Sequence, residues 1–157
     1  MISLLIVAIT AQIGPDLAIS IDNLPMKTTI GRRLALDVTL KNISRKTLVF
    51  PSELPQGQCY GISTKPVLPS PKIMGSPPYW PVQTTEVHSG GHVHYSIGWD
   101  QLFDMRRAKR GNYKVTLTIS TFGNEKWIGK EPTAFEKSLE LSLKIGNNGQ
   151  VILRGPL

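Results

Sequence analysis

The chain has 157 residues, enough for one domain that buries roughly 68–70% of its unfolded surface without a covalent staple. Hydrophobic residues make up 40% and charged residues 18%, which excludes a disordered chain. A net charge of +7 admits anionic partners, while the single cysteine, Cys59, excludes an intrachain disulfide and a cysteine-built zinc site.

Residues 1–13 open on an apolar run, 2–9, broken only by Ser3. The run is too short to cross a bilayer. Two readings fit it. One is the apolar core of an export signal with a small-residue cleavage site near Ala11, which places the protein in a secreted or cell-envelope setting. The other is an N-terminal β-strand, since Ile2, Ile6, Val7 and Ile9 are β-branched, and it leaves a cytoplasmic setting open. Residues 14–157 then form a single domain.

Next come strands. "LAISID" (17–22) places Leu17, Ile19 and Ile21 on one face. "RLALDVTLKN" (33–42) does the same with Leu34, Leu36, Val38 and Leu40. "KTLVF" (46–50) predicts a shorter strand after the turn-like "NISR". "NIS" also matches a glycan acceptor, but Asn42 reads first as a turn former that tolerates left-handed backbone. Residues 51–81 hold eight of the twelve prolines and predict edge strand and long loop, with a short strand within "QCYGIST" (58–64).

"HVHYSIGW" (92–99) puts Val93, Tyr95, Ile97 and Trp99 on the buried face. "WDQLFDMRRAKR" (99–110) predicts one or two helical turns, capped by Asp100 and ended by Gly111. "YKVTLTIS" (113–120) and "SLELSLKI" (138–145) alternate strictly. An Asn-Gly turn precedes a last short strand, Val151–Leu153. Such alternation marks half-buried antiparallel strands, and several of them with one helical segment predict an all-β sandwich.

Three stretches together resemble a known group. "LALDVTLKNIS", "VHSGGHVHYSIGWDQLF" and "GNYKVTLTI" are similar to the strands of the BsuPI-type intracellular proteinase inhibitor domain, across roughly residues 33–120. The resemblance implies an immunoglobulin-like antiparallel β-sandwich with one short helical crossover. It further implies a tyrosine corner at Tyr113. Protease inhibition by a loop at one end of the sandwich is the activity it suggests. It transfers no inhibitory residue to this chain.

Three candidate sites stand out. His88, His92 and His94 fall within seven positions, and His92 and His94 share the outward face of one strand, so they are candidate metal ligands. The same alternation also explains them as exposed residues of a polar sheet face. Arg106, Arg107, Lys109 and Arg110 form a basic cluster on the crossover, suited to an anion or an acidic protein. Tyr60, Tyr79 and Trp80, with "SPPYWP", make a stiff aromatic stretch suited to protein contact. The chain has no Gly-x-Ser-x-Gly and no phosphate-cradling glycine loop, and shows no close carboxylate pair. The expectation is a non-catalytic protein-binding accessory domain without cofactor, nucleic acid or membrane span. Its partner would be a protein, with a protease as the alternative implied by the resemblance.

Overall fold

Period-two alternation buries one face of a strand, and here it does so in each strongly patterned segment. The computed structural model describes residues 12–55, 58–71, 80–100, 102–123 and 126–155. In chain order the strands are β1 (Gln12–Ile13), β2 (Leu17–Ile21), β3 (Met26–Thr29), β4 (Ala35–Asn42), β5 (Leu48–Pro51) and β6 (Tyr60–Lys65). Then follow β7 (Val82–Val87), β8 (His92–Gly98), β9 (Gly111–Ser120), β10 (Trp127–Ile128), β11 (Glu136–Ile145) and β12 (Gln150–Arg154).

The strands form three sheets. The largest has the order β3-β12-β11-β9-β6, with β1 paired to the start of β11. The others are β10-β7-β5 and β2-β4-β8. All pairings are antiparallel except β10 with β7. The longest ladder runs from Gly111 opposite Ile145 to Ser120 opposite Glu136.

Leu36, Val38 and Leu40 of β4 are buried, as are Tyr95 and Ile97 of β8. Val115, Leu117 and Ile119 of β9 and Leu139, Leu141 and Leu143 of β11 bury their side chains too. One continuous apolar cluster joins these residues, so the sheets are layered over a shared core in a sandwich-like form. Phe50 and Phe135 meet edge-to-face in it, with ring centroids 5.8 Å apart. A one-residue slip of β4 would turn Leu36, Val38 and Leu40 out together, at about 1.5–3 kcal/mol each. That cost fixes the register.

Gln12 and Ile13 pair with Lys137 and Glu136, so the end of the 1–13 segment belongs to the largest sheet. Residues 1–11 lie outside the described residues. The chain turns sharply at Gly14, where φ is +112° and an added Cβ would sit 2.5 Å from the Ala134 carbonyl oxygen. Only glycine fits there.

The crossover after β8 is not helical, and no helix occurs among the described residues. Leu102 and Phe103 both donate to the Trp99 carbonyl, which closes a single turn. The next amide, Asp104 N–H, is claimed by the Pro69 carbonyl, and Arg106 N–H by the Asp104 carboxylate. An α-helix must pass each N–H to the carbonyl four residues back. These two diversions stop it, and isolated turns follow (Arg107 to Asp104, Ala108 to Met105).

Candidate functional site

The sandwich-like fold has an aromatic end and a basic one, at opposite ends of the β6–β9 ladder. At the aromatic end, the Gln58 side-chain amide holds the backbone of Trp80 at both groups. It donates to the Trp80 carbonyl at 2.9 Å and accepts from the Trp80 N–H at 3.3 Å. Trp80 is left 60% exposed. Two residues on, Val82 begins β7 beside Trp127, and Ile128 lies opposite Gln83. Phe122, just past β9, lines the same depression as Gln58. Its amide is fixed by the Ser120 hydroxyl. Phe122 and Ile128 are 48% and 49% exposed.

Tyr60 and Tyr79 are the other two expected aromatic contacts. Tyr60 is buried in β6, opposite Ile119, so alternation makes it a core residue rather than a displayed one. Its burial pushes the phenol pKa up. Tyr79 falls outside the described residues. Cys59 is buried beside Tyr60, and burial, aided by the Glu53 charge, lifts its thiol from 9.0 to about 11. It is a protonated apolar filler at neutral pH and not a nucleophile.

At the other end lies the crossover. Its inner face is apolar. Trp99 is fully buried, packs on Phe103 with centroids 4.8 Å apart and gives its indole N–H to the Met105 sulfur. Asp100 is spent on the Leu34 N–H, and Asp104 on Arg106 N–H. The Tyr113 hydroxyl donates to the Lys109 carbonyl four residues upstream and pins the return into β9. Arg106, Arg107, Lys109 and Arg110 are all exposed. Among the described residues none of the four makes an ion pair.

The structure does not assemble the three histidines. His92 and His94 do project together from β8, with ring centroids 4.7 Å apart. His94 Nδ1 faces the Thr39 hydroxyl at 2.7 Å, and Thr39 in turn donates to Asp22. His88 instead contacts the Thr47 hydroxyl at 3.0 Å, at the entry to β5. No cluster of three His, Cys, Asp or Glu side chains suited to a metal occurs among the described residues.

The "HSGG" turn is instead a structural corner that carries the chain from β7 in one sheet to β8 in another. Asn42 is its hub. Its amide nitrogen donates to the carbonyls of Lys46 and Val87, and its side-chain oxygen accepts from the Ser44 N–H and hydroxyl. Its backbone N–H reaches Gly91 O, and its carbonyl accepts from Gly90 N–H. The Ser89 hydroxyl closes the corner on Ser44 O. Asn42 is fully buried, so its amide is not accessible as a glycan acceptor in the folded chain. Its backbone is not left-handed either, since only glycines have positive φ among the described residues. The turn is made by its side chain, which mimics backbone.

Comparison with family models, curated proteins and solved structures finds no match. Function therefore rests on the surface itself. What the surface offers is a fixed aromatic group at one end and unpaired cations at the other.

Proposed function

We infer that this chain is a non-catalytic protein-binding domain of immunoglobulin-like form, from an exported or cell-envelope protein, that meets its partner through the Trp80 end. The observation that carries the reading is the clamped backbone of Trp80. A large aromatic displayed on backbone already fixed at both N–H and C=O loses little further entropy on binding, and exposed aromatics dominate interface energetics. Phe122, which lines the depression beside Gln58, and Ile128, which lies opposite Gln83, are further exposed apolar residues. The Tyr113 hydroxyl bond to the Lys109 carbonyl supports the immunoglobulin-like form, because a tyrosine corner pins the crossover between sheets in that fold. The exported setting rests on the apolar run 2–9 ahead of Gln12.

The test is a quantitative pull-down comparing the native chain with Trp80→Ala/Phe122→Ala. The double variant is expected to lose the captured protein while melting within about 2 °C of the native chain, as exposed substitutions do. Capture at an unchanged level would overturn the reading. Serine-protease assays decide whether the partner is a protease. A stoichiometric fall in hydrolysis, absent with the double variant, would make this chain an inhibitor as its BsuPI-type resemblance implies.

A further inference from the structure

The basic crossover borders a cleft of about 600 Å³ between residues 66–69 and 107–113. Arg107, Lys109 and Arg110 line it, and no carboxylate does. Its rim carries Val67, which is 86% exposed, and its wall includes buried Tyr113. The neighbouring cleft, beyond Asp104, differs. It brings Arg32 and Arg106 together with Asp100 and Asp104, so its charges balance. Three cations in the larger cleft therefore have no intramolecular counter-charge among the described residues. Concavity focuses their combined field.

We propose that this cleft binds an extended acidic peptide segment, two of whose carboxylates are held by Arg107 and Arg110 while an apolar side chain packs on Val67. The proposal rests on the protein-binding reading and assigns it a second surface. Guanidinium groups present planar forks that match carboxylates in two parallel hydrogen bonds, and Lys109 adds a point charge between them. The Asn112 amide is exposed at the same wall and can serve peptide backbone groups. Single-stranded nucleic acid fits less well. It needs exposed rings for bases to stack on, and here Phe103 and Tyr113 are buried. An anionic bilayer fits less well too. It presents a plane, whereas these cations line a concavity with Val67 the only exposed large apolar residue among the described ones bordering it.

The experiment is fluorescence anisotropy with a labelled ten-residue peptide of glutamates with one central leucine, at 50 and 200 mM salt. The comparison probes are the glutamine version of that peptide, a ten-nucleotide single strand, and phosphatidylserine-containing vesicles. Arg107→Gln/Arg110→Gln is expected to weaken acidic-peptide binding at least tenfold. Lys27→Gln/Lys41→Gln removes the same charge from exposed positions on other strands and is expected to weaken it less than twofold. Val67→Gln is expected to weaken it severalfold at both salt concentrations, since its contact is not ionic. Melting curves check that each variant is folded. Equal losses in the two charge variants would reduce the effect to net charge and overturn the proposal. So would no binding by the native chain, or tighter binding of the oligonucleotide or the vesicles through the same residues. Trp80→Ala/Phe122→Ala should keep its peptide affinity, so failure of the cleft and failure of the Trp80 surface are told apart.

Discussion

The two loops with the most conspicuous polar residues, "HSGGH" and "RRAKR", are built in opposite ways. In the first, the polar groups other than His92 are consumed. Asn42, Ser44 and Ser89 tie the corner between β7 and β8 with bonds to Lys46, Val87, Gly90 and Gly91, and His88 and His94 rest on threonine hydroxyls. In the second, the carboxylates are consumed and the cations are not. Asp100 and Asp104 serve backbone amides, while Arg107, Lys109 and Arg110 face a cleft without a counter-charge among the described residues. The difference teaches where to look for function. A buried group with every bond made is accounted for by the fold. A cluster of like charges with no partner is not, because it repels itself and adds nothing to the folded state.

The largest expected effect is at the hub of the first loop. Asn42→Ala leaves the buried Val87 carbonyl and the part-buried Ser44 N–H without this partner. It also takes from the Lys46 carbonyl one of its two bonds, the other coming from the Ser44 hydroxyl, and each unmet buried group costs about 1–3 kcal/mol. A total loss of about 3–5 kcal/mol in urea unfolding is expected, near the top of the range for single substitutions. A loss under 1 kcal/mol would show that the corner is not held by this side chain. Tyr113→Phe probes the second loop with a smaller effect. It removes one hydroxyl bond to Lys109 O and is expected to cost about 1 kcal/mol, or roughly 2–4 °C in melting temperature. Faster amide exchange at 109–112, with the β4 and β8 amides unchanged, would place the damage in the crossover alone.

Alkali tests the core around Cys59. Burial raises the pKa values of Cys59, Tyr60 and Tyr95, with Cys59 at about 11. The folded chain thus keeps these protons to higher pH than the unfolded chain does. The stability they confer is complete below pH 9 and falls as pH rises toward 11. Melting temperature should drop across that window, and Cys59→Ala should soften the first part of the fall. A flat profile from pH 8 to 11 would contradict the buried placement. The smallest effect belongs to the exposed histidines. His88→Ala, His92→Ala and His94→Ala should each change stability by less than about 0.5 kcal/mol.

Much of this was legible in the sequence where a strand buries one clean face. β2, β4, β8, β9 and β11 fall where the period-two runs lie, and the inward set of β8 is Val93, Tyr95 and Ile97 with Trp99 following. β7 left no such trace. Its buried residues, Val82 and Val87, stand five apart, so the strand has polar residues on both faces and no period to read. β10 is two residues long, and its parallel pairing with β7 comes from a distant segment. The helix expected over 99–110 had a suitable apolar spacing. Competition from Pro69 O for the Asp104 amide is a tertiary event that no local pattern carries. Among the expected contact residues, Trp80 and the basic cluster are exposed. Tyr60 was misplaced although a strand was expected within 58–64, because a run this short and glycine-broken does not show which face is buried, and its alternation turns that ring inward.

The most direct test of the contrast between the loops is urea unfolding of two variants side by side with the native chain at 150 mM salt. One is Asn42→Ala. The other neutralises the crossover, Arg106→Gln/Arg107→Gln/Lys109→Gln/Arg110→Gln. The first should lose about 3–5 kcal/mol, and the second should stay within about 0.5 kcal/mol of native, as exposed sites do. A crossover variant that loses as much as Asn42→Ala would show that the cations serve the fold and that the two loops are built alike.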